Sequence, residues 1–169
     1  MNKTTFTVDG TTLTIERVFI ADKNRVWQAW EDPEVFAKWW GPKGWSTTVK
    51  HSDFTPNGYR LYGMKCEDEN QGEWFGKESW GKMHFEEITP YDSFSYIDFF
   101  TDDQGTVTEG LPSVKTTNEL IEVDGGTKFI SRGYYDSEEA IKTVMDMGME
   151  EGVRQTWDRL EELLAKAEN

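Results

Sequence analysis

The alternation of apolar and polar positions along this chain predicts a sheet-rich protein with helices at defined places. Thr12–Phe19 alternates and is rich in β-branched residues, so it reads as the first strand. Residues 47–54 form a second strand, and the Thr55-Pro56-Asn57-Gly58 turn leads into a return strand at Tyr59–Cys66. Three more strand signals follow at residues 74–80, 82–88 and 93–101, with Gly76 and Gly81 read as bulges or bends and Thr89-Pro90-Tyr91-Asp92 as a turn. Val114–Val123 and residues 127–134 make a hairpin around Asp124-Gly125-Gly126. The acidic run Glu67-Asp68-Glu69, beside Asn70-Gln71-Gly72, reads as a solvated hairpin tip. Residues 102–112 read as a loop, and its part from Gly105 to Pro112 is a candidate lid.

Helical periodicity takes over in three places. Asp22 caps a short helix through Trp30, with Val26, Trp27 and Trp30 on its inner face. A second short helix follows directly in Asp32-Pro33-Glu34-Val35-Phe36-Ala37-Lys38-Trp39-Trp40. Asp32 caps it, Pro33 suits its first position and Gly41-Pro42 ends it. From Asp136, with Glu139 as a capping-box-like partner, a long helix is expected to residue 166. Ile141, Met145, Met149, Val153, Trp157, Leu160 and Leu164 form its apolar stripe, and Gly148 and Gly152 mark either close approach to the sheet or a bend.

Composition narrows the function classes. The chain of 169 residues fits a single domain over residues 1–169, with its core at about 11–166. With 18 Lys+Arg against 32 Asp+Glu the net charge is −14, and no basic cluster offsets it, so nucleic acid and anionic membrane surfaces are excluded as partners. The N-terminus lacks the apolar run of a signal peptide, and no stretch approaches the ~20 apolar residues that span a bilayer. A cytoplasmic location without membrane insertion is the expectation. Cys66 is the one cysteine, which excludes an internal disulfide and a cysteine-based metal knuckle.

The Asp-Pro-Glu…Trp-Trp-Gly-Pro stretch at residues 32–42 resembles the signature of single-domain START-like (SRPBCC) proteins. The branch is the one named after the activator of the heat-shock chaperone ATPase and often labelled polyketide cyclase-like. The turn at residues 53–60 is similar to the family's Asp-x-Arg-Pro-Gly-Gly-x-Arg motif, with Thr55 and Asn57 as departures. Gly81 with Glu87-Ile88-Thr89-Pro90 resembles its Gly…Glu-Ile-x-Pro hairpin, and residues 152–160 its closing Gly-Trp-x-x-x-Leu-Asp-x-Leu motif. In that motif Val153 stands where the family carries Trp and Trp157 where it carries Leu. The resemblance implies an α+β helix-grip fold: a curved antiparallel sheet of six to seven strands wrapped around a long C-terminal helix, with two short helices after the first strand. Such a helix leaves a cavity wherever its side chains and the sheet do not meet.

Chemistry-bearing residues are sparse. His51 and His84 lie in expected strands without ligand-spaced partners, and no phosphate loop, nucleophile elbow or His-Glu-x-x-His motif is present. Asp53 reads as a turn-stabilising aspartate, and Arg60 as a surface arginine or a cavity residue. No metal, cofactor or catalytic residue is assigned. The eight Trp, ten Phe and six Tyr residues, with the methionines, instead suggest adaptable apolar pocket walls. The expected function is binding of a small hydrophobic molecule (aromatic, polyketide- or lipid-like) by Tyr62, Trp74, Met83, Phe85, Phe99, Met145, Met149, Val153 and Trp157. Two alternatives remain. One is a co-chaperone-like module in contact with a chaperone, and the other a cyclase or hydrolase using a cavity carboxylate or histidine such as Asp53 or His84.

Overall fold

The computed structural model describes residues 3–166, so the expected domain limits at residues 1 and 169 lie outside the described residues. Eight strands form one antiparallel sheet: β1 (Thr5–Asp9), β2 (Thr12–Phe19), β3 (Trp45–Ser52), β4 (Tyr59–Cys66), β5 (Glu78–Thr89), β6 (Ser93–Thr101), β7 (Val114–Val123) and β8 (Gly126–Tyr134). Their spatial order is β1-β2-β8-β7-β6-β5-β4-β3, so β2 pairs with the last strand while β3 lies at the opposite edge. The chain crosses between those two places through helices α1 (Lys23–Glu31) and α2 (Pro33–Trp39). Helices α3 (Glu138–Asp146) and α4 (Met149–Lys166) close the chain, and α4 packs against α1 and α2. This is the helix-grip arrangement.

The caps expected on α1 and α2 form. The Asp22 carboxylate accepts from the Arg25 amide and that of Asp32 from the Glu34 amide, each at 2.9 Å. The exits of the two helices are held by arginines. Arg60, fully buried on β4, donates to the last carbonyls of α1, Trp30 at 2.7 Å and Glu31 at 2.9 Å, and to Ser52 Oγ at 2.9 Å. Its guanidinium also lies 4.5 Å from the centroid of the Phe36 ring. Arg159 of α4 donates to the carbonyls of Lys38, Gly41 and Trp45 at the exit of α2. Arg60 is therefore neither a surface arginine nor a cavity residue. Burial lowers its pKa to about 10, with the charges around Tyr96, Asp32 and Glu31 opposing that shift.

Five expectations are corrected. Among the described residues the sheet has eight strands rather than six or seven, because Thr5–Asp9 adds an edge strand to β2 through a turn at Gly10; Phe6 and Val8 alternate with Thr5, Thr7 and Asp9, but the run is only five residues long and mostly exposed. The two short helices accordingly follow the second strand. The expected strands at 74–80 and 82–88 are one strand, β5, bulged not at Gly81 but between Phe85 and Ile88. The acidic run leads into a short 3-10 turn at Glu69–Trp74 rather than a simple hairpin tip, and this turn takes Trp74 out of the sheet. The long helix is interrupted: α3 is capped by Ser137 instead of Asp136, and Gly148, at φ +86°, breaks the run before α4.

The core lies between α1, α2, α4 and the concave face of the sheet. Trp30 is its hub, stacked on Phe129 at 5.3 Å and edge-on to Trp39 at 5.0 Å and Trp40 at 5.5 Å. Trp39 is fully buried with its indole N–H on the Ala29 carbonyl at 2.9 Å, so the first ring of the tandem pair is core. Trp40 is only half-buried, stacks on Phe36 and faces a cavity.

Candidate functional site

The sheet register builds the site one row at a time. Opposed residues on neighbouring strands point to the same face, and alternate residues along a strand point to opposite faces. Tyr62 on β4 is opposite Gly81 on β5, and Gly81 opposite Phe100 on β6; the next row is Arg60, Met83, Asp98 and Val114. Because Gly81 carries no side chain, the Tyr62 ring lies flat across β5. A Cβ at Gly81 would stand 2.5 Å from the Tyr62 hydroxyl and 2.7 Å from Cζ. Lying there, the Tyr62 hydroxyl reaches Asp98 on β6 and donates to its carboxylate, at 3.0 Å to Oδ1 and 3.2 Å to Oδ2. The convex face repeats the device one residue along, where the Trp80 ring covers Gly63.

Asp98 faces a cavity of about 260 Å³ between the sheet and the α3–α4 corner, bounded by Tyr62, Met64, Gly81, Phe100, Tyr135, Val144 and Met149. Two smaller cavities adjoin it. One of about 230 Å³ shares Tyr62, Met64 and Met149 and is closed by Trp40, Val153 and Trp157. The other, of about 170 Å³, shares Met149, Thr116 and Tyr135 with the first and reaches Trp30 and Tyr96. Met149, the first residue of α4, borders all three, just after the helix is interrupted at Gly148.

The electrostatics of this corner follow from burial. Loss of water raises the Asp98 carboxyl to about 7, with the Tyr62 hydrogen bond opposing the rise. Burial, and then the charge of Asp98, hold Tyr62 and Tyr96 well above the usual phenol range and raise Tyr135 in the same sense. A carboxyl near 7 hydrogen-bonded to a neutral phenol can give or take a proton at neutral pH.

The structure gathers some of the sequence-predicted residues and scatters others. Tyr62, Met149, Val153 and Trp157 border the cavities. Phe99 borders the first, but its position opposite Lys82 puts its side chain on the convex face. Met83 and Phe85 are fully buried in the core cluster, and Met145 lies outside the three linings. Trp74 is 53% exposed on the 3-10 turn, beside Trp45. Asp53 accepts from Thr55 Oγ1 within its turn, and His51 stacks on Tyr59 outside the cavities. The expected lid divides: Gly105 packs toward Leu61 and accepts from Lys82 on the convex face, while Pro112 borders the first cavity. Asp98, Tyr135 and Trp40 border the cavities without being among the expected binding residues. Asp98 lies within Ser93–Thr101, where the polar member of an apolar strand was the available signal.

Among the described residues no helix is long and apolar enough to cross a membrane, and no group of three or more His, Cys, Asp or Glu residues could hold a metal ion. Residues 21–165 match the family described as Activator of Hsp90 ATPase homolog 1-like protein. The chain belongs to that family. Among solved structures, a Mycobacterium smegmatis protein is 31% identical with a TM-score of 0.83, covering 96% of this chain and 95% of its own. A protein from Arthrobacter aurescens is 29% identical with a TM-score of 0.84, over 96% and 91% of the two chains. One from Staphylococcus epidermidis is 25% identical with a TM-score of 0.82, over 96% and 94%. No curated protein matches the chain. This Activator of Hsp90 ATPase homolog 1-like chain thus shares its whole architecture with these structures.

Proposed function

We propose that the protein binds a small hydrophobic molecule, aromatic, polyketide-like or lipid-like, between α4 and the concave face of the sheet. The observation that carries this reading is the pairing of apolar walls with one polar corner. Met64, Phe100, Val144 and Met149 can cover the body of a ligand, while Asp98 and Tyr62 address a single polar group on it. Apolar burial supplies the affinity and the polar pair the orientation. A thermal-shift panel of flavonoids, polyketides, fatty acids and sterols tests it. A ligand at 100 times its Kd adds about 2.7 kcal/mol, or about 5–10 °C for a domain of this size. A shift confined to one chemical class supports the reading, and a flat panel overturns it.

A second reading is favoured by Asp98 itself. A carboxyl near 7 beside a phenol could serve as general acid or base in a cyclisation or hydrolysis within the same cavity. Turnover of a panel ligand, followed by mass spectrometry and abolished in Asp98→Asn, would support catalysis; recovery of unchanged ligand from every complex would exclude it. Contact with a chaperone draws on the family description alone and on no feature of the cavity.

A further inference from the structure

Asp98 is a carboxylate without a counter-ion. A carboxylate can accept about four hydrogen bonds, yet among the described residues Asp98 accepts only from Tyr62 and joins no ion pair. The cations that could reach it are committed elsewhere. Arg60, in the same row of the sheet, is occupied by the Trp30 and Glu31 carbonyls and by Ser52. Lys82 lies on the convex face, donating to the Gly105 carbonyl. Lys115, on the strand beside β6, pairs with Glu86. What surrounds Asp98 is aromatic: Tyr62, Tyr135 and Phe100 border its cavity, and ring faces attract cations.

We propose that this corner is a cation-recognition site and that the ligand is an amphipathic amine, an aromatic or alicyclic body carrying one protonated ammonium group. This deepens the hydrophobic-binder reading and rests on it. The ammonium brings three N–H donors, and the corner presents acceptors for them in the two Asp98 oxygens and the Tyr62 hydroxyl oxygen, with Tyr135 also bordering the cavity. An anionic ligand would place a second negative charge against Asp98 within a chain of net charge −14. A neutral alcohol would leave the carboxylate without a counter-charge, which a low-dielectric site disfavours.

Ionic recognition requires Asp98 to be ionised, so amine binding is linked to proton release. The titratable groups facing it are Tyr62 from β4, Tyr96 from β6 and Tyr135 after β8, all held neutral by burial; β5, β7, α3 and α4 present Gly81, Val114, Thr116, Val144 and Met149 to the cavity. Affinity for an amine that stays protonated through this range therefore rises with pH and levels off above the Asp98 midpoint of about 7.

Phenethylamine, phenethyl alcohol and hydrocinnamate share one carbon skeleton and differ in the terminal group. Titrated calorimetrically and by protein NMR at about pH 8, the amine should bind at least about tenfold more tightly than the other two, and its affinity should fall about tenfold or more toward pH 5.5. Asp98→Asn should remove that preference; if the variant does not fold, the pH profile of the unaltered protein decides. Equal or better binding of the alcohol overturns the amine inference and leaves the hydrophobic-binder reading standing. So does failure of all three beside a positive result in the flavonoid-to-sterol panel. Failure of all three together with a flat panel overturns both.

Discussion

Asp98 makes the stability of the whole protein depend on pH in an unusual direction. Its carboxyl is raised from 3.8 to about 7 on folding, so the folded state holds a proton that the unfolded state releases. That contribution is fully present below the unfolded value and is lost as pH rises through about 7. Between about pH 5.5 and pH 8.5 the loss is about 2 kcal/mol, or about 4–8 °C in Tm for a domain of this size. Asp98→Asn keeps an acceptor for Tyr62 without the charge. Its Tm relative to the unaltered protein should therefore climb across that window; parallel Tm curves for the two proteins would show that Asp98 does not carry the effect. Gly81 makes a second, linked prediction. An alanine there would displace the Tyr62 hydroxyl from Asp98, costing about 1.5–3 kcal/mol. Losing that bond should also push the Asp98 midpoint higher, as read from carboxyl NMR titration. An unchanged midpoint would mean that the ring had not moved.

The elements were legible in the sequence where local chemistry alone decides them. Asp22 and Asp32 cap their helices, Pro33 begins α2, and Asn57 takes the positive φ that its turn needs. What was not legible depends on partners far along the chain. Nothing near residue 60 announces that Arg60 will receive the end of α1, and nothing near residue 98 announces Tyr62. The break between α3 and α4 was half legible, because Gly148 and Gly152 look alike in sequence and differ in conformation. Gly148 is left-handed, whereas Gly152 lies inside α4 with nothing within 4 Å of its missing Cβ. Alanine at 148 should therefore cost about 1–2 kcal/mol, while alanine at 152 should add about 1 kcal/mol. Urea melts of the two variants separate the cases, and equal signs would contradict the break. At the exit of α1, Arg60→Met would leave the Trp30 and Glu31 carbonyls buried without donors. The expected loss is about 2–4 kcal/mol in the same assay.

At the scale of the molecule, the open space follows from where one indole is placed. The family's closing motif, as the sequence resemblance implies, carries Trp at the position of Val153; this chain carries it at Trp157, one turn farther along α4. There the ring packs edge-on against Phe129 at 5.5 Å and Phe19 at 5.8 Å and belongs to the core. Val153, left small, borders both the cavity of about 230 Å³ and that of about 170 Å³. A tryptophan there would project into that space and occupy part of it. Val153→Trp should accordingly raise Tm, by filling a void that now forfeits contacts, and should suppress the ligand-induced shift of any compound that lies along α4. The first cavity, with Asp98, does not include Val153. A compound short enough to lie wholly against Asp98 should keep its shift in the variant while longer ones lose theirs. Retention of every shift would confine ligands to the Asp98 cavity, and a fall in Tm would show that the helix and sheet are already too close to admit the ring.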